Sequence, residues 1–313
     1  VSIAIAMLSG RKIGLMQRST MCEAISAHHV GGIVRMTGFI LRTTIIIELT
    51  GAAAMFPVFC RDFGAVKGLW YSLFHAVSAF CNAGFDLLGV RSEFSSLTTY
   101  ADNPVINITI MTLIVTGGIG FLTWDDIKTH KIHLKKYRMQ SKVILTVTSL
   151  LILLPALYFY FVEFSADKWS GMSVSERILG SFFQSVTPRT AGFNTVDLTM
   201  LSEAGVFIMI ILMITGGSPG STAGGIKTTT IAVLFSSAFS VFRRKGETNC
   251  FHRRISDDTI NHAATILLMY LVLFLTGGIA ISCMEGIPIL DCLFETASAI
   301  GTVGLTLGIT TEL

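Results

Sequence analysis

Phe74-His75-Ala76-Val77-Ser78-Ala79-Phe80-Cys81-Asn82-Ala83-Gly84-Phe85 is echoed twice further along the chain. The second copy is Phe183-Gln184-Ser185-Val186-Thr187-Pro188-Arg189-Thr190-Ala191-Gly192-Phe193, and the third is Phe294-Glu295-Thr296-Ala297-Ser298-Ala299-Ile300-Gly301-Thr302-Val303-Gly304-Leu305. The central glycines lie 108 and 112 residues apart, so each copy belongs to one period of an internal repeat. The second copy is one residue shorter between its Ser/Thr and its glycine. The apolar stretch before each glycine covers about 10–14 residues, too short for a bilayer-crossing helix, which needs about 20. Each copy follows a longer apolar run, and the first two also precede one. The repeating unit therefore reads as helix, half-helix, loop, helix.

Composition places these units in a membrane. Of the 313 residues, 51% are apolar and 14% charged, against roughly 25% charged in soluble domains. Apolar runs of spanning length recur at 34–59, 103–124, 141–164, 204–242 and 260–283, and the fourth is too long for one plain helix. The chain opens inside an apolar stretch, Val1 to Leu8, and stops at Leu313 without a closing span, so a piece missing both ends is expected.

Basic residues orient the spans. Arg11, Lys12, Arg18, Arg35 and Arg42 lie before or at the start of the first. Lys128, Lys131, Lys135, Lys136, Arg138 and Lys142 lie between the second and third, and Arg243, Arg244, Lys245, Arg253 and Arg254 between the fourth and fifth. With alternating spans all three clusters fall on one side, the cytoplasmic one by the positive-inside rule. The other segments hold a thin scatter: Arg61, Lys67, Arg91, Lys168, Arg177 and Arg189. The net charge of +3 follows from this asymmetry and is not read as a nucleic-acid surface. Cys22, Cys60, Cys81, Cys250, Cys283 and Cys292 show no metal-type spacing, and His28, His29, His130 and His133 are read as ordinary loop residues. No bound metal or covalent cofactor is expected.

Non-helical backbone at membrane depth survives only where it is buried in protein or lines a water-filled cavity. Free carbonyls pointing into such a cavity replace the hydration shell of a cation, and half-helices aimed at it by their C-terminal ends add partial negative charge. Glycines that merely allow close helix packing are the competing explanation; three copies at matching places in a repeat favour the cation site. Thr302-Val303-Gly304 also matches the opening of the potassium-channel filter loop TVGYG.

A second feature interrupts the fourth span: Thr215-Gly216-Gly217-Ser218-Pro219-Gly220-Ser221-Thr222-Ala223-Gly224-Gly225-Ile226-Lys227, with five glycines and a proline in 13 residues. No straight helix tolerates that content cheaply. A Walker A loop needs Gly-Lys-Ser/Thr; here Ile226 separates Gly225 from Lys227. The segment reads as a kink relieved by neighbouring helices or as a stretch that can unwind, weakly held for want of side-chain packing and separate from the filter. Lys227 either opposes a cation in the path or marks the membrane interface.

At this point the chain resembles the membrane subunit of the Ktr/Trk/HKT potassium transporters, most of all the KtrB type. The resemblance is carried by FHAVSAFCNAGFDLLG (74–89), TGGIGFLTWDDI (116–127), FQSVTPRTAGFNTVDL (183–198), TGGSPGSTAGGIKTTT (215–230) and FETASAIGTVGLTLGIT (294–310). It implies an all-α integral membrane fold of four helix–pore loop–helix repeats around one central pore. Residues 1–33 would be the tail of repeat one with its cytoplasmic connection, 34–140 repeat two, 141–258 repeat three with a broken inner helix, and 259–313 repeat four up to its filter. The first filter strand and the last inner helix would be absent.

By the same resemblance, the ion-binding filter falls on Asn82, Ala83, Gly84, Thr190, Ala191, Gly192, Thr302, Val303 and Gly304. Cys81, where relatives commonly carry Asn, is a tolerated departure. The segment Gly216 to Gly225, with Lys227 beyond it, would be an intramembrane gate lying across the pore below the filter. The transported ion would be K+, with Na+ as a stimulating second ion. The family pattern also implies a homodimer in the bacterial plasma membrane, with a cytosolic ring of nucleotide-binding regulatory subunits of the KtrA type. The basic loops would suit that partner or anionic lipid headgroups equally.

The alternative in a second class is an alternating-access secondary cation symporter, since broken helices at the midplane occur there too. Successive repeats of the same orientation favour the channel-like form. A membrane enzyme finds no support in paired intramembrane carboxylates or a His/Cys cluster. Glu48, an acid late in the first span, is left without a role.

Overall fold

The computed structural model describes residues 33–90, 95–244, 247–251 and 253–309. The readings placed on Val1 to Leu8, Arg11, Lys12, Arg18, Cys22, His28, His29, Arg91 and Lys245 lie outside the described residues. Helix α1 (Ile33–Phe63) is followed after Gly64 by the shorter α2 (Ala65–Phe80). Next come α3 (Pro104–Gly118), α4 (Phe121–His130) and α5 (Met139–Tyr158), the last continued by a π-helical turn (Phe159–Glu163). The chain goes on through α6 (Val174–Val186), α7 (Glu203–Ile214), α8 (Thr228–Phe242), α9 (Asp257–Glu285) and α10 (Ile289–Gly301). A two-stranded antiparallel hairpin, β1 (Asn249–Cys250) and β2 (Arg253–Arg254), joins α8 to α9. It is a small departure from a purely helical chain.

Local sequence sets the helix starts. Asn103 accepts from the backbone N–H of Val105 and Ile106 with Pro104 at the first helical position, where its missing N–H is harmless. Ser173 and Glu176 form a reciprocal capping box on α6. Ser202 caps α7 and Ser256 caps α9. The Ser202 cap is itself held by buried Glu163, which accepts from the Ser202 N–H at 2.9 Å and pairs with Lys168 at 2.9 Å.

Among the described residues three stretches, Val34–Phe63, Met139–Glu163 and Asp257–Glu285, are long and apolar enough to cross a membrane. α3 and α4 pass only as a pair, and they are bent by 98°. The second span therefore ends at Gly118 and not at residue 124. The bend has a physical cause: a side chain on Gly120 would come within 2.5 Å of the Pro219 carbonyl oxygen, and the Phe121 N–H donates to Gly220 at 2.8 Å. The chain turns because it docks on the interrupted segment. The fourth apolar run divides into α7 and α8, with Thr215–Lys227 non-helical between them.

α1, α5 and α9 form the outer layer. Ile45, Ile46, Leu49, Leu150, Leu153, Leu154, Leu268, Met269 and Val272 stay exposed on them, as a lipid-facing surface requires. Two apolar clusters fill the inside. One joins Met55, Phe59, Tyr71 and Phe80 to Ile106, Ile110, Phe183 and Phe193. The other joins Phe159, Trp169, Met209 and Met213 to Phe274, Phe294, Val303 and Leu305. Each cluster therefore ties one repeat to the half-helix or loop of the next. α2 is 16 residues long, above the 10–14 expected, while α6 and α10 have 13 each.

Candidate functional site

The half-helices α2, α6 and α10 deliver the three repeated stretches to one place. A Cβ built on Gly84 would strike the Ala191 carbonyl oxygen, and one on Gly192 would strike that of Val303. Gly84 and Gly192 also face each other, the Cβ position of Gly192 being 3.5 Å from the Gly84 Cα. Residues more than a hundred positions apart in sequence thus stand side by side.

The backbone follows one pattern in all three copies. φ is +51° at Asn82 and +70° at Gly84, +75° at Thr190 and +85° at Gly192, and +54° at Thr302 and +90° at Gly304. The first and third residues of each triplet are left-handed while the middle one is not. Glycine takes this conformation freely, Asn takes it at moderate cost, and a β-branched Thr does so only where its surroundings impose it.

One hydroxyl staples each loop to its half-helix. Ser78 donates to the Phe85 carbonyl at 2.7 Å and Thr187 to that of Phe193 at 2.6 Å, while the Gly304 N–H donates to Ser298 Oγ at 3.1 Å. The middle N–H of each triplet runs back to the same residue's carbonyl: Ala83 to Ser78 at 2.9 Å, Ala191 to Thr187 at 3.0 Å and Val303 to Ser298 at 2.8 Å. This accounts for the Ser/Thr shared by the three copies. The middle amides are thereby tied backward, whereas the nine carbonyls of the triplets accept no hydrogen bond among the described residues.

The interrupted segment is neither loose nor separate. Its own strands are bonded at Gly216 N–H to Ile226 O (3.0 Å), Gly217 N–H to Gly224 O (3.2 Å) and Thr228 N–H to Gly217 O (3.0 Å). Ser218 and Thr222 donate their N–H to Gly118 and Gly117 at the end of α3. Thr215, Gly216, Gly217, Ser218, Gly220, Ala223 and Ile226 are buried. Both the weak hold and the separation expected from the sequence are therefore corrected. Hydroxyls and backbone do the holding that side-chain packing cannot, and the segment touches the triplets directly. Asn82 Nδ2 donates to Thr222 Oγ1 at 2.9 Å, and that hydroxyl lies 2.9 Å from the Phe80 carbonyl. Gly224 packs against the Thr302 side chain, which a Cβ there would strike.

Two cations stand beside this junction. Arg189, 7% exposed, lies one residue before the second triplet, and its Nη2 is 3.5 Å from the Gly216 carbonyl oxygen. Sequence reasoning counted it only as a scattered basic residue. Lys227 Nζ donates to the Ala223 carbonyl at 2.7 Å, so it closes the segment on itself. Pro219, Ser221 and Gly225 complete the segment without touching the triplets through any hydrogen bond among the described residues. No group of three His, Cys, Asp or Glu that could hold a metal occurs among the described residues.

Comparison with known proteins identifies the family. The family model for TrkH, described as a cation transport protein, matches residues 2–313. The potassium/sodium uptake protein NtpJ of Enterococcus hirae is 38% identical over 98% of this chain and 67% of its own length. The Ktr system potassium uptake protein B of Bacillus subtilis is 36% identical over 100% of this chain and 69% of its own length. The chain thus spans about two thirds of the length of these curated relatives. The crystal structure of the potassium transporter TrkH from Vibrio parahaemolyticus shares the fold, with a TM-score of 0.70 over 92% of this chain and 61% of that one, at 16% identity. By its sequence from end to end, and by a fold in which three half-helices bring their loops together, this chain belongs to the TrkH family of cation transport proteins.

Proposed function

We propose that the full protein takes up potassium through a pore whose selectivity filter includes Asn82-Ala83-Gly84, Thr190-Ala191-Gly192 and Thr302-Val303-Gly304. The observation that carries this reading is the set of nine carbonyls without donors among the described residues, on backbone that is left-handed at the first and third residue of each triplet. Alternating handedness turns successive carbonyls toward the same side of a strand, whereas uniform extended backbone alternates them. A strand with its middle amide tied behind it and its carbonyls in front offers a dehydrated monovalent cation replacement ligands. The names of the relatives support the ion, and one of them includes sodium.

The repeats are 34–140, 141–258 and 259–313, and the segment Gly216–Gly225 is the gate. The shared handedness of the three triplets supports repeats of one orientation and a channel-like path over alternating access. The loops around Lys135 and Arg253 face the cytoplasm of a bacterium, where relatives named as parts of a Ktr system support a multi-component assembly. A homodimer docked on a nucleotide-binding ring is the assembly we assign, with sodium as the stimulating ion. The test is growth of a potassium-uptake-deficient bacterium carrying the full-length protein at low external potassium. Growth is expected; failure to grow with normal membrane levels of protein overturns the reading.

A further inference from the structure

The Asn82 amide raises a question that its own triplet does not answer. Its Oδ1 is buried and has no partner among the described residues, although its Nδ2 is bonded to Thr222 Oγ1. An unpaired buried acceptor is costly and calls for an explanation. The orientation of the amide follows from its neighbour. The Phe80 carbonyl can only accept, so the Thr222 hydroxyl gives it its proton. The remaining lone pairs of Thr222 need a donor, and the NH2 of Asn82 supplies it. The amide oxygen is therefore the end that Thr222 does not engage, and it is left buried without a partner among the described residues. Thr222 lies 140 residues from Asn82 and belongs to the segment assigned as the gate.

We infer that Thr222 is a positioning residue: it fixes the Asn82 amide with Oδ1 presented as an additional oxygen ligand for a cation in the filter, so that the gate segment sets ion affinity as well as flux. The inference rests on the function proposed above. A cation at Oδ1 supplies the missing partner. When the segment moves, Thr222 leaves, the amide rotates freely, and the ligand is lost together with the obstruction. Binding and release are then linked through one hydroxyl, and a cation held while the segment is in place is loosened when it withdraws.

The experiment uses the full-length protein and measures potassium and rubidium uptake for wild type, Thr222→Val, Thr222→Ser, Asn82→Gly and Thr222→Val with Asn82→Gly. Glycine is chosen at position 82 because it accepts the positive φ there. Thr222→Val should raise KM about fivefold, equivalent to about 1 kcal/mol, and Thr222→Ser should restore it. The double variant should match Asn82→Gly alone. A change in maximal rate with KM untouched overturns the inference, as do effects of the two single variants that multiply in the double one. If the valine variant does not reach the membrane, Thr222→Cys replaces it, and an unchanged KM there overturns the inference equally. Thermal unfolding of the purified protein across a potassium titration provides a second readout. If wild type takes up neither ion, the proposed function fails; the potassium midpoint for protection, expected to rise in Thr222→Val, still decides the coupling.

Discussion

Gly192 lies so close to Val303 that a side chain on the glycine would collide with the valine's carbonyl oxygen. Gly84 bears the same relation to Ala191, but a side chain on Gly304 would meet nothing within 4 Å among the described residues. All three have positive φ. Serine at Gly304 therefore meets backbone strain of about 1 kcal/mol, while serine at Gly84 or Gly192 meets strain and collision together. Uptake assays should show a modest rise in KM for Gly304→Ser and a much larger rise for Gly84→Ser and Gly192→Ser, with all three in the membrane. Three equal effects would show that the contacts between triplets do not matter.

Ion preference should be real but limited. Only Thr302-Val303-Gly304 of the three triplets has the TVG composition, and the Asn82 and Thr190 triplets carry Ala at the middle. Reconstituted full-length protein should take up rubidium and potassium in preference to sodium, less sharply than a filter of four identical TVGYG strands. Equal rates for sodium and rubidium would end the assignment of these carbonyls as a potassium filter.

The hydroxyl staples should matter for stability. Thr187→Val keeps the shape of the side chain but leaves the Phe193 carbonyl without its donor. Removing one partner of a buried hydrogen bond costs about 1–3 kcal/mol. The thermal midpoint of the purified protein should fall, and Thr187→Ser should recover most of the loss. An unchanged midpoint would mean that the half-helix holds the loop without the staple.

Deleting Gly217–Gly224 should raise maximal potassium uptake, because the obstruction assigned to the segment is gone. It should also raise KM, since Thr222 is lost with it and the contacts with Asn82 and Thr302 disappear. Potassium and sodium uptake measured side by side would test this. Lower maximal uptake at normal expression would identify the segment as a structural support and not a gate.

Topology can be checked at two exposed positions. Lys135 lies in the loop between α4 and α5, and Thr99 in the connection between α2 and α3. With native cysteines replaced, Lys135→Cys and Thr99→Cys should react with an impermeant reagent from opposite faces of the membrane. Labelling from the same face would overturn the orientation drawn from the basic loops.

The repeated stretch, the long outer spans, the short half-helices and the break in the fourth run were legible in the amino-acid sequence, whereas the end of the second span was not. They depend on local hydropathy, on glycine content and on a Ser/Thr at a repeated spacing, which need no knowledge of neighbours. The tertiary structure alone decided what those pieces touch. The left-handed backbone of Thr190 and Thr302 could not be read from residue type, because threonine avoids that conformation unless its surroundings enforce it. The 98° turn at Gly120 required the carbonyl of Pro219, about a hundred residues away. The hold on the interrupted segment was misread for the same reason: a run of glycines looks weak by itself, yet here it is bonded to itself at Gly216 and Gly217 and to the end of α3 at Ser218 and Thr222. Hydropathy records how a residue meets its solvent, while the bond from Asn82 to Thr222 exists only because separate repeats converge on one pore.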